Sequence, residues 1–93
     1  MHKAEQLNNF LLRVTSDVNL STSHISLCTA LCSAWIGNGL NNPFNISRKS
    51  IMCAAKIKSK STYHKIIGDL AVLKYLEYNP SFHPVKGSQV SIL

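Results

Sequence analysis

Acidic residues are scarce in this 93-residue chain: Glu5, Asp17, Asp69 and Glu77 stand against ten lysines and arginines. The four acids are scattered singly, so the paired carboxylates needed for general acid–base chemistry have no support. Glycine is equally thin, and none of the four glycines belongs to a glycine-rich phosphate loop. Cysteine occurs three times, at Cys28, Cys32 and Cys53, without a Cys-x-x-Cys pair. That odd count argues against a disulfide framework and favours reduced thiols. No stretch approaches the roughly 18 unbroken apolar residues of a membrane span. Met1 to Phe10 is polar and lacks the apolar segment of a secretory signal. A cytoplasmic protein with no membrane partner is the expectation. Internal repeats and low-complexity linkers are missing too.

What is present suits one modest core. Residues 1–93 read as one domain, and 45% of them are hydrophobic. The charge is strongly one-sided. In residues 1–47, Lys3 and Arg13 cancel Glu5 and Asp17, so the whole net +6 comes from residues 48–93. Arg48, Lys49, Lys56, Lys58, Lys60 and Lys65 follow one another with no acid between them. A solvated surface would explain such a run. A field of one sign also attracts polyanions and speeds their encounter.

Periodicity orders the elements. Leu7, Phe10, Leu11, Val14 and Val18 recur at helical spacing, which predicts a first helix over 3–18 with one apolar stripe. Ser21 or Thr22 is placed to cap a second helix, from about Ser23 to Ile36. That helix is apolar around most of its circumference and belongs in the middle of the core. Gly37 to Pro43 is rich in turn-forming residues and stops it. Phe44-Asn45-Ile46 alternates as a short strand. Ser47 then caps a brief helix, Arg48 to Ala55, with Ile51, Met52 and Ala55 inward. Ile57 plugs into the core from the following turn. Ser59 caps a fourth helix, Lys60 to about Lys74, whose inward set is Tyr63, Ile66, Ile67, Leu70 and Leu73. Leu76 to Asn79 and Gln89 to Ile92 alternate again, on either side of a loop holding two prolines and a glycine, which predicts a β-hairpin with a long tip.

The expected order is α-α-β-α-α-β-β, mainly helical with a small hairpin. Over residues 44–93 it matches a winged helix-turn-helix. A helix is narrow enough to enter the major groove of double-stranded DNA, and a helix packed across it fixes its approach. The recognition helix would be 59–74. Its outward Ser59, Lys60, Ser61, Thr62, His64 and Lys65 can donate to phosphates or base edges. Arg48, Lys49 and Lys58 extend the basic surface. The wing, residues 80–88, would bring Ser81, His83, Lys86, Gly87 and Ser88 to the flanking backbone.

From Leu20 to Leu93 the chain resembles small winged-helix transcriptional regulators of Bacteroidetes bacteria, often associated with mobile elements. The stretches that carry the likeness are Leu20 to Leu27, Asn42 to Arg48, Ser59 to Lys65, Tyr75 to Phe82 and Pro84 to Ser88. The resemblance implies a winged-helix fold, sequence-specific DNA binding in transcription regulation and a nucleoid-associated protein. Winged helices also serve in plasmid replication and mobilisation, and some act only as protein-contact modules.

Other chemistries fit less well. His24, Cys28 and Cys32 are spaced i, i+4 and i+8, and the third cannot easily converge on a shared metal, so no metal or cofactor is expected. A Cys–His nucleophilic pair lacks any inferable orienting group or oxyanion hole, and the chain does not read as an enzyme. The apolar stripe of the first helix exceeds what a four-helix core needs. It predicts a homodimer through residues 3–18.

Overall fold

The computed structural model describes residues 2–80 and 87–93. Four helices and a small antiparallel sheet follow in the order α1 His2–Ser16, α2 Thr22–Gly37, β1 Phe44–Ile46, α3 Arg48–Ala55, α4 Lys60–Val72, β2 Leu76–Asn79 and β3 Ser88–Ile92. The expected mainly helical chain with a small antiparallel β element is therefore present, and the sheet takes in β1 as a third strand. The expected wing residues Ser81, His83 and Lys86 lie outside the described residues.

Helix α1 is shorter than its stripe predicts. Phe10 and Val14 are buried, but the helix ends at Ser16 and Val18 is 95% exposed instead of inward. Asp17 is the cause. Its carboxylate accepts from the Asn19 backbone N–H at 2.8 Å and its carbonyl accepts from Leu20 N–H at 3.2 Å. These bonds offer the backbone a turn in place of another helical rung.

Helix α2 is the centre of the molecule. Leu27, Leu31 and Trp35 are fully buried, and α1, α3, α4 and β1 all pack around it. Each large aliphatic side chain removed from water stabilises the fold by about 1.5–3 kcal/mol. Trp35 stacks on Phe44 of β1, with ring centroids 6.5 Å apart and planes 19° apart. Its indole N–H has no acceptor among the described residues, which offsets roughly 1–3 kcal/mol of that gain.

Three helices close in one way. Leu40 N–H donates to Trp35 carbonyl, Ile57 N–H to Met52, and Tyr75 N–H to Leu70, each five residues back and at 2.9–3.0 Å. The residue before each donor, Gly39, Lys56 or Lys74, is left-handed, with φ of 70°, 63° and 66°. This is the Schellman closure, which normally takes glycine. Ile57 and Tyr75 are then buried, so each closure pins the next segment to the core. Leu73 is a correction. Expected inward, it is 42% exposed, because α4 ends at Val72 and the closure turns Leu73 outward.

The sheet has the order β1-β3-β2, with Phe44 opposite Val90 on one side of β3 and Tyr78 opposite Val90 on the other. Asn42 extends the β1 side by its side chain: it donates to the Ile92 carbonyl at 3.2 Å and accepts from the Ile92 N–H at 3.0 Å. Helix α1 is tied to the same corner. Gln6 donates to Ile92 carbonyl at 3.0 Å, and Arg13 donates to the carbonyls of Lys74 and Leu93 while lying 4.5 Å from the centre of the Tyr75 ring. The Tyr75 hydroxyl donates to Asp17 at 2.6 Å.

Candidate nucleic-acid interface

Helices α3 and α4 meet through the four-residue turn Lys56 to Ser59. Its left-handed Lys56 and buried Ile57 fix the angle between them. Ser26 of α2 donates to the Ala55 carbonyl, which holds the end of α3 against the central helix. Serine begins both helices. Ser47 Oγ accepts from Ser50 N–H, and Ser59 Oγ accepts from Thr62 N–H at 3.3 Å. Caps of this kind contribute about 1 kcal/mol each. Ser61 Oγ lies 2.8 Å from Ser59 Oγ, so two of the expected contact hydroxyls are already engaged with the cap.

The core-facing side of α4 is as expected. Tyr63, Ile66, Ile67 and Leu70 are buried, while Lys60, Ser61, Thr62, His64 and Lys65 are exposed. The His64 ring sits edge-on to Tyr63, with centroids 5.3 Å apart. Arg48, Lys49 and Lys58 are exposed on α3 and the turn, so the structure leaves these cations accessible together with the start of α4. Ser88 is engaged. Its Oγ accepts from the Tyr78 hydroxyl at 3.2 Å, and its backbone pairs with Ile46.

Lys65 departs from the expectation of a freely outward cation. Its ammonium lies 3.1 Å from Asp69 Oδ2, one turn along α4. The same oxygen accepts from His24 Nε2 of α2 at 2.9 Å. The histidine tautomer follows from its other nitrogen. Ser21 backbone N–H, which can only donate, points at Nδ1 at 2.9 Å, so Nε2 carries the ring hydrogen. His24 therefore closes the capping box of α2 and reaches across to α4. The His24 bond, then Lys65, hold the Asp69 carboxyl below its ordinary range. Serine, histidine and aspartate form one hydrogen-bonded chain here. The Nδ1 lone pair is shared between the Ser21 backbone N–H and the Ser21 hydroxyl, so the chain serves as a cap and a brace.

No family model, curated protein or solved structure matches this chain.

The chemistry of the face is that of its own side chains. It offers ammonium, guanidinium, imidazole and hydroxyl donors, and Asp69 places an acid among them on α4. Elsewhere the thiols are accounted for by packing: burial pushes Cys28 up to about 12, with Cys32 adding to it, and Cys32 up to about 11. Cys53 is exposed on α3. Among the described residues no three His, Cys, Asp or Glu side chains cluster as metal ligands. No described helix is long and apolar enough to cross a membrane. The His24–Asp69 contact was not legible from spacing, since it joins residues 45 apart.

Proposed function

We propose that this chain is a winged helix-turn-helix protein that binds double-stranded DNA in a sequence-specific way, as a transcriptional regulator. The observation that carries the reading is the exposed, cation-rich start of α4, backed by a buried stripe and braced by α3 across a four-residue turn. The element order and the β1-β3-β2 sheet support it, since β2 and β3 would carry a wing beside that helix. Lys60, Thr62 and His64 enter the major groove in this reading. Arg48, Lys49 and Lys58 meet phosphates, with Lys65 joining them once it leaves Asp69.

The test is selection of bound duplexes from a random pool, followed by salt titration of the winners. DNA binding predicts an enriched motif and an affinity that falls with log[salt] at about 0.9 per neutralised phosphate. A protein that enriches nothing and ignores duplexes at low salt refutes it, and would favour an acidic protein partner for the same face. The homodimer through α1 belongs to the same proposal. Phe10 and Val14 are spent on the chain's own core, so Leu11 and Leu12, 39% and 56% exposed, are what α1 offers a second copy. A monomer in sedimentation at high concentration removes that part.

A further inference from the structure

Of the basic side chains on α4, Lys65 is tied to a carboxylate and Lys60 has no acidic partner among the described residues. An exposed i, i+4 pair is ordinarily weak and loose, because both side chains trade freely with water. Asp69 is not loose. Its Oδ2 also holds the Nε2–H of His24, a side chain only 10% exposed and fixed in turn by the Ser21 backbone and hydroxyl. The carboxylate is thus anchored to the core element α2, while the lysine side chain it holds is 73% exposed. An anchored anion beside a surface where phosphates would dock does two things. It repels phosphate, and it competes for the Lys65 ammonium.

We propose, resting on the DNA-binding reading above, that Asp69 is an anionic gate on this face: pinned by His24, it withholds Lys65 from phosphate until the duplex displaces it. Binding then proceeds by partner exchange, with Lys65 leaving a carboxylate for a phosphate. Neutralising Asp69 frees that cation in advance. Asp69→Asn keeps an oxygen acceptor for the His24 N–H, so the brace between α2 and α4 survives while the charge is lost.

The experiment is a salt titration with a fluorescent mixed-sequence duplex, using wild type, D69N, K65A and the double variant. D69N is expected to bind more tightly, with a slope close to that of wild type, because Lys65 neutralises a phosphate in both complexes. K65A, which loses that contact altogether, should have a slope flatter by about 0.9. In the K65A background the D69N gain should shrink to the part that repulsion alone supplies. If D69N helps equally with and without Lys65, Asp69 acts by plain repulsion and the gate is overturned. If wild type binds and D69N binds no more tightly, the gate fails while DNA binding stands. A wild type that ignores every duplex defeats both. Should D69N fold poorly, K60A and K65A decide the matter: an unheld lysine should cost more than a held one, and equal losses overturn the gate.

Discussion

Adding one methyl group to Gly87 should damage this protein far more than the same change at its other glycines. Gly87 precedes β3 with φ +67°, a region that costs an alanine about 1–2 kcal/mol. Space is the larger problem. A Cβ there would lie 2.4 Å from the Ile46 carbonyl oxygen and 3.3 Å from its carbon. The obstacle is backbone, in the strand position that pairs with Ser88, so relief requires β1 and β3 to move apart. Forced overpacking adds about 1–3 kcal/mol, for a total loss of roughly 2–5 kcal/mol. Two glycines serve as controls. Gly39 shares the left-handed backbone at φ +70°, but its nearest neighbour is the Asn41 amide nitrogen at 3.2 Å, the end of an exposed side chain whose bonds to the Asn38 carbonyl and Lys3 can be exchanged for water. G39A should cost only the conformational part, about 1–2 kcal/mol. Gly68 sits inside α4 with nothing within 4 Å, and G68A should stabilise by about 0.5–1 kcal/mol. Thermal unfolding reads all three, at roughly 4–8 °C per kcal/mol for a chain this size. If G87A melts no lower than G39A, the close approach of β1 to Gly87 is wrong.

Three further outcomes follow from burial and charge. Alkylation of the native protein at neutral pH should modify Cys53 alone, with Cys28 and Cys32 reacting only in denaturant; fast labelling of all three thiols would contradict their packing. Burial, then the bond to Asp17, pushes the Tyr75 phenol up to about 12. A folded pKa above the unfolded value of 10.0 contributes stability that is complete below pH 10 and drains away as pH rises towards 12. Denaturation curves for Tyr75→Phe should lose that part of the alkaline fall, and an unchanged alkaline limb would count against it. Asp17 and Asp69 are shifted the other way, below 3.8, by Tyr75 and His24 respectively. Their contribution is complete above that value and is lost as pH falls through the folded pKa, so D69N should flatten the acid limb of stability between pH 4 and the acid transition. Identical acid limbs for D69N and wild type would refute the His24–Asp69 bond.

Local signals carried most of the fold. Ser21, Ser47 and Ser59 each precede a periodic apolar run, and a hydroxyl at that place has one evident use, so three helix starts were readable within a residue. The inward set of α4 was readable up to Leu70 for the same reason. Failures came where a polar bond between distant or competing groups decided the outcome. Val18 fits a helical stripe, yet Asp17 turns the chain before it. Leu73 keeps the period, but the left-handed Lys74 ends the helix under it, and lysine gives no warning of that conformation. On the candidate face the exposure of Lys60, Thr62 and His64 followed from their neighbours' burial. The restraint on Lys65 did not, because it depends on a histidine from another helix. Asn42 standing in for a strand residue was likewise invisible, since nothing local distinguishes it from a loop asparagine.

The middle place in the sheet belongs to β3, the strand a ribosome would deliver last of the three. During synthesis β1 and β2 wait as two unmatched edges, each with its row of backbone donors and acceptors facing water and unable to zip together in their native order. The helices can assemble around α2 in the meantime, through contacts that are closer along the chain. Clipping within Ser88–Ile92 would therefore open both ladders at once, release the anchors of Gln6 and Asn42, and leave two sticky strands. For this protein, guarding the five residues of β3 from proteases guards the entire β layer.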